Sequence, residues 1–295
     1  MQAARKRTTR MSNENAGPDA LVTPQWLEAN MSDRDVRLIE IAGMNQDEMQ
    51  AYKAGHVPGA ICWKWKEALW DSHMREFPDP DEFARRMGAA GIANDTTVVL
   101  YGEGIQFGVY AWWVLKYCGH KDVRLLDGGR YRWQADGRAL QVEIPPPPAA
   151  VKYQPVSPNA AMRIFKDDIL EALKRKDHVI IDARSPEEYS GERVRAYGGP
   201  DGGAVRGGRI PGAQHLFFED LLDETKSFLP KEQLQAIADT YGLKSDAPVI
   251  TYCRMSHRST VVYFVLTQIL GMPDVRVYDG SWTEWGNLIG NRIEK

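Results

Sequence analysis

The chain says much the same thing twice, and that repetition limits its folds more than any other feature. Gly55-His-Val-Pro-Gly-Ala60 returns as Gly208-Arg-Ile-Pro-Gly-Ala213, and Leu126-Asp-Gly-Gly-Arg-Tyr-Arg-Trp133 returns as Tyr278-Asp-Gly-Ser-Trp-Thr-Glu-Trp285. The strand-like run Val36–Glu40 has a counterpart in Val179–Asp182. Thr97–Tyr101, followed by the apolar Tyr110–Val114, matches Val249–Tyr252, followed by Val261–Leu266. The pairs Gly59/Gly212, Gly102/Cys253 and Asp127/Asp279 are 153, 151 and 152 residues apart, in one order. A repeat of that length is a duplicated domain rather than a solenoid unit. Within each copy short apolar strands alternate with helical segments, which predicts an α/β fold of two tandem domains, each a parallel sheet flanked by helices. The expected division is a disordered tail over 1–20, a first domain over 21–143, a proline-rich linker over 144–160 and a second domain over 161–295. Pro145–Pro148, Pro155 and Pro158 make that linker stiff and extended.

Composition removes several classes of function. A net charge of −3 gives no bulk attraction to nucleic acid. No apolar run approaches the roughly 20 residues that span a bilayer, so no membrane segment is expected. The three cysteines, Cys62, Cys118 and Cys253, form neither a disulfide framework nor a paired zinc motif. Cys253 and His257 are four apart but lack a second pair to complete a metal site, so no metal or cofactor is expected. The first ten residues are basic and lack the apolar core of a secretory signal. A cytoplasmic monomer in a reducing compartment fits these features.

Cys253 is the candidate nucleophile. Val249–Tyr252 reads as a buried strand, and Val261–Leu270 reads as a buried helix that stops at Gly271. The cysteine therefore sits where backbone N–H groups converge at a helix start, a place that favours an anion and hence a thiolate. Arg254 and Arg258 add positive charge, and Ser256, Ser259 and Thr260 are candidate hydroxyl donors. His257 either tunes the loop charge near neutral pH or faces solvent. In the first copy Gly102-Glu-Gly-Ile-Gln-Phe107 occupies the place of Cys253-Arg-Met-Ser-His-Arg258. With no thiol and no arginine there, the first domain is expected to be non-catalytic and to wall the site of the second. Cys118 and Cys62, among tryptophans, read as packing residues.

Together the paired glycine-proline turns, the Asp-Gly-Gly and Asp-Gly-Ser segments, Asp182-Ala-Arg184, Pro186-Glu-Glu-Tyr189 and the single cysteine loop resemble the rhodanese family of sulfurtransferases in its tandem form. The resemblance covers nearly all of the chain after the first twenty residues. It implies a ping-pong transfer in which thiosulfate gives its outer sulfur to Cys253 and cyanide or a thiol removes it. It also implies that Arg184 joins Arg254 and Arg258 in binding the donor, with Met255, Ser256, His257 and Ser259 completing the active-site loop. Some family members carry a lysine where this chain has Met255. Relatives preferring mercaptopyruvate carry a small uncharged loop, so the bulky, charged Arg254 argues for thiosulfate. Ala196–Ala204 is a glycine-rich insertion, expected to be a flexible loop.

Two rivals come from other classes. A phosphatase would use a Cys-x₅-Arg loop, whereas Cys253 to Arg258 is one residue shorter and suits a sulfur atom better than a phosphate. A persulfide carrier that hands sulfur to a partner protein fits the same residues as an enzyme does.

Overall fold

A computed structural model describes residues 20–43, 49–195, 202–244 and 247–295. The expected tail and most of the glycine-rich insertion fall outside these residues. Five strands come from the first half: β1 (Leu21–Val22), β2 (Val36–Ala42), β3 (Ile61–Lys64), β4 (Thr97–Gly102) and β5 (Val123–Leu126). Five follow in the second: β6 (Arg163–Ile164), β7 (Val179–Asp182), β8 (Gln214–His215), β9 (Val249–Tyr252) and β10 (Val275–Tyr278). Each half makes one parallel sheet, ordered β1-β5-β4-β2-β3 and β6-β10-β9-β7-β8. Counted within its own half, the second order repeats the first, so the duplication read from the sequence is a duplication of topology.

The helices of the first half are α1 (Pro24–Asn30), α2 (Gln50–Ala54), α3 (Trp65–Leu69), α4 (Pro80–Ala89), α5 (Ile105–Tyr117) and α6 (Gly129–Ala135). Those of the second are α7 (Lys166–Arg175), α8 (Pro186–Ser190), α9 (Lys231–Thr240), α10 (His257–Phe264) and α11 (Ser281–Trp285). After α10 the backbone loosens into a π-helical stretch, Val265–Ile269, so the helix expected to run to Gly271 changes pitch before it ends. Among the described residues no helix is long and apolar enough to cross a membrane.

The absence of a solvent-facing side on two helices decides how the halves meet. Every residue of α10 is buried, and so is α5 from Phe107 to Leu115. A helix buried all round needs a partner on its outer side. Here α5 and α10, which follow the equivalent strands β4 and β9, cover one another. Trp112 meets Phe264 edge-on at 4.8 Å, and Tyr110 stacks on His257 at 4.1 Å. One continuous apolar core therefore spans both sheets. The segment between the halves is not a free tether. Val151 N–H donates to the Gly88 carbonyl, Asn94 and Gln154 exchange two hydrogen bonds, and Asn159 N–H donates to the Tyr117 carbonyl.

Candidate active site

Cys253 follows β9 directly and is buried, at 1% exposure. Its N–H donates to Ser281 Oγ at 3.3 Å, and its carbonyl accepts from Trp282 N–H at 2.9 Å. The start of α11 thus holds the cysteine backbone through both of its polar groups. Three residues on, Ser256 caps α10 with φ of +69°, a left-handed conformation that costs a non-glycine residue about 1–2 kcal/mol. Its hydroxyl offsets this by donating to the Asp279 carboxylate at 2.7 Å and the Asp279 carbonyl at 2.8 Å. The other loop hydroxyls serve the backbone: Ser259 Oγ donates to the Ser256 carbonyl and Thr260 Oγ1 to the His257 carbonyl. They stiffen the turn instead of donating to sulfur, contrary to expectation.

The silent half closes the equivalent loop completely. A Cβ at Gly102, the position matching Cys253, would lie 2.5 Å from the Gly104 carbonyl oxygen and 2.7 Å from Gly108 N. The position that matches Cys253 therefore has no space for a side chain.

The three arginines have three different employments. Arg254 is half-buried beside the cysteine, and its Nη2 donates to the Gly202 carbonyl at 3.0 Å. Glycine follows at 203 with φ of +96°, and a Cβ there would lie 2.6 Å from the same nitrogen. Burial first, then the neighbouring Arg195, hold the Arg254 guanidinium below its ordinary value. Arg195 is thus near enough to act on Arg254, which the sequence did not reveal.

Arg258 is buried and forked onto Glu188, with Nη1 to Oε2 at 2.5 Å and Nη2 to Oε1 at 2.9 Å. Glu188 is wholly buried and also accepts the Ser185 N–H at 3.2 Å, as half of the capping box of α8. Burial alone would raise its pKa, but the hydrogen bonds and charge of Arg258 outweigh burial and lower it. Glu188 stands inside Pro186-Glu-Glu-Tyr189, yet nothing local says that its partner lies seventy residues away.

Arg184 is fully buried, as Cys253 is, and its Nη1 has no hydrogen-bond partner among the described residues. Its Nη2 donates to Asp182 at 2.6 Å and to the Gly208 carbonyl at 2.7 Å, and its guanidinium lies 4.5 Å over the Trp282 ring. Tyr252 completes the network: its hydroxyl donates to Asp182 at 2.6 Å and accepts the Ile210 N–H at 3.1 Å. The same assembly recurs in the half without a thiol. There Tyr101 donates to Glu40 at 2.5 Å and accepts the Val57 N–H at 3.0 Å, while Arg130 donates to Glu40 and the Gly55 carbonyl, each at 2.6 Å. A network built twice, once beside a loop without a thiol, serves the scaffold. Arg184 is the counter-ion of a buried acid and pins the glycine-proline turn to β7.

His257 corrects both alternatives expected of it. It is buried against the first domain, stacked on Tyr110 and edge-on to Trp65 at 4.5 Å and Phe107 at 5.2 Å. Burial pushes its pKa down to about 3, so it stays neutral near pH 7. Its Nδ1 and backbone N–H both donate to the Met255 carbonyl, at 2.9 and 3.0 Å. Met255 itself is half-buried.

Among the described residues no cluster of three or more His, Cys, Asp or Glu could hold a metal ion. All three cysteines are free. Burial raises the thiols of Cys118 and Cys62 to about 12, which makes both poor nucleophiles. Cys62 lies on the wall of a cavity of ≈ 650 Å³ in the first domain, alongside Trp63, Arg85 and Pro145.

Comparison with known proteins agrees with this geometry. The model of the rhodanese-like domain matches residues 23–136 and again 165–288. The chain belongs to the rhodanese family, in its tandem form. It is 40% identical over 284 residues to the sulfur carrier protein TtuD of Thermus thermophilus, covering 95% of this chain and 98% of that one. It is 39% identical over 277 residues to a Saccharopolyspora erythraea protein named "Putative thiosulfate sulfurtransferase", covering 94% and 96%. Among solved structures, the anaerobic ergothioneine biosynthesis enzyme of Chlorobium limicola, in complex with trimethyl histidine, aligns with a TM-score of 0.82 at 25% identity, over 94% of this chain and 70% of that one. The chain is accordingly a rhodanese-type sulfurtransferase or sulfur carrier.

Proposed function

We propose that this rhodanese moves the outer sulfur of thiosulfate through a persulfide on Cys253 to a thiol or to cyanide. The Cys253 thiolate attacks the outer sulfur, the S–S bond of thiosulfate breaks, and sulfite leaves with the electron pair. The acceptor then attacks the terminal sulfur of the persulfide and regenerates the thiolate. Both the attacking thiolate and the persulfide are anions, so one cradle at the start of α10 serves both steps. Arg254, with Arg195 beside it, supplies the charge that draws a compact dianion. Arg258 contributes to the site from below, through its pair with Glu188.

The observation that carries this reading is the single cysteine held between β9 and α10 with a cation at the next position, opposite an equivalent loop sealed by glycine. The test is direct. Incubation with thiosulfate should add one sulfur atom to the Cys253 peptide by mass spectrometry, and cyanide should release it as thiocyanate. Failure to load that peptide would overturn the reading. A second reading, persulfide delivery to a partner protein, is favoured by the likeness to TtuD over almost the whole of both chains. It predicts that the loaded persulfide survives purification and passes to a protein thiol faster than to cyanide. The free cysteines suit the reducing conditions of the cytoplasm for either reading.

A further inference from the structure

Asp279 places a buried carboxylate where the two domains meet, and its partners come from three directions. Ser256 of the Cys253 loop donates to Oδ1 at 2.7 Å and to the carbonyl at 2.8 Å. Arg163, opening β6, binds Oδ2 at 2.8 Å. Arg75, from the first domain, binds Oδ2 at 3.1 Å, Oδ1 at 3.3 Å and the carbonyl at 3.2 Å. Arg75 therefore holds the same two oxygens that hold Ser256. It is itself fixed, with φ of +55° and its guanidinium 4.7 Å over Trp70. Trp70 Nε1 donates to the Tyr110 hydroxyl at 2.7 Å, and Tyr110 is the ring stacked on His257.

The silent half supplies an internal comparison. At the spacing of the repeat, Asp127 stands for Asp279, Ile105 for Ser256 and Ser227 for Arg75. Asp127 still reaches across the domain boundary, accepting the Phe228 N–H at 3.0 Å. Burial raises its pKa to about 6, more than its backbone hydrogen bonds and the charge of Arg132 lower it. The acid is present in both halves, whereas the serine and the arginine occur only where there is a thiol to position.

We propose that Arg75 is a positioning residue for the Cys253 loop: through Asp279 it holds Ser256 in its left-handed conformation and so sets the start of α10 behind the sulfur. This rests on the sulfur-transfer reading above. It gives the thiol-free domain a share in the chemistry beyond walling the site. Arg163 remains on Asp279 when Arg75 is removed, so the carboxylate stays paired and the fold should hold.

The test uses the full chain with Arg75→Gln, Arg75→Lys, Ser256→Ala and the double variant Arg75→Gln/Ser256→Ala. Two rates are measured: sulfur loading of Cys253 from thiosulfate, and alkylation of the Cys253 peptide by iodoacetamide, followed by mass spectrometry. Arg75→Gln should slow both about tenfold while the thiosulfate KM stays within about twofold, the signature of a misplaced reacting group rather than a lost binding contact. Arg75→Lys should recover at least about a third of the rate, and the double variant should be at most about twofold slower than Ser256→Ala, because the two act in series. Wild-type rates in Arg75→Gln, a change confined to KM, or losses that multiply in the double variant would each overturn the proposal. So would unfolding of both Arg75 variants by circular dichroism, which would make the residue structural. If wild-type Cys253 takes no sulfur from thiosulfate, the functional reading fails, while the alkylation rates still decide the role of Arg75.

Discussion

Removal of the Arg258 side chain should do more to stability than to donor binding. Arg258 and Glu188 form a two-pronged pair in which the carboxylate is wholly buried and the arginine side chain only 10% exposed. Truncating one partner of such a pair leaves an uncompensated buried charge, at a cost of about 3–5 kcal/mol. In Arg258→Ala, Glu188 keeps the Ser185 N–H, which sets the expectation at the lower end, about 3 kcal/mol. The sign of the pH dependence follows from the pair. In the intact protein the lowered pKa of Glu188 contributes stability above its unfolded value, which is lost as pH falls through the folded value. In the variant, burial acts on Glu188 with its main counter-ion gone, so the carboxyl should favour its protonated form and the deficit against wild type should shrink as pH falls from 7 towards 5. Glu188→Gln in the Arg258→Ala background should return about half of the lost stability by removing the orphaned charge. Urea unfolding of the wild type and the two variants at both pH values measures all of this. A loss below about 1 kcal/mol in Arg258→Ala, or a double variant no more stable than the single, would refute the account of Arg258 as a strut beneath the loop.

The remaining predictions are shorter. Cys253→Ser should abolish sulfur transfer with the circular dichroism spectrum unchanged, because a serine hydroxyl is too weak an acid to replace the thiolate. Arg254→Gly should lower kcat/KM for thiosulfate more than for 3-mercaptopyruvate, and added salt should weaken the wild type's preference for thiosulfate; an enzyme faster on mercaptopyruvate at equal concentration would contradict this. Asp127→Asn should stabilise the protein at pH 7 by about 1–3 kcal/mol, since a carboxyl raised to about 6 is held ionised at a cost there, and the gain should shrink below pH 6 and vanish below about pH 3, where wild-type Asp127 is protonated in both states; equal gains at pH 7 and at about pH 3 would show that charge is not the cause.

What could be read from the sequence and what could not divide along a physical line. The duplicated sheets, the position of Cys253 between β9 and α10 and the silence of the first loop follow from short stretches whose meaning is local: apolar runs, glycines and one thiol. The partners of the site do not. Asp279 and Ser281 sit in a segment recognised as repeated, Glu188 in one recognised as a motif, yet their contacts join residues 23, 28 and 70 positions apart in the chain. His257 shows the limit most clearly. A polar residue in a polar loop reads as solvent-facing, and only the docking of α5 on α10 turns it into a buried aromatic contact. Arg184 shows another limit: its position at the carboxyl edge of β7 suggested ligand binding, and nothing local told of its bonds to Asp182 and the Gly208 carbonyl. The structure offers a comparison inside one chain: Glu40, Tyr101 and Arg130 build a similar network beside a loop with glycine in the place of the cysteine. What the two halves share is scaffold, and what only the second half has is the candidate machinery. By that criterion the Glu188–Arg258 pair, Ser256 and Arg75 with their link through Asp279, and Arg254 stand with Cys253, while the Asp182–Tyr252 hydrogen bond belongs with the shared scaffold.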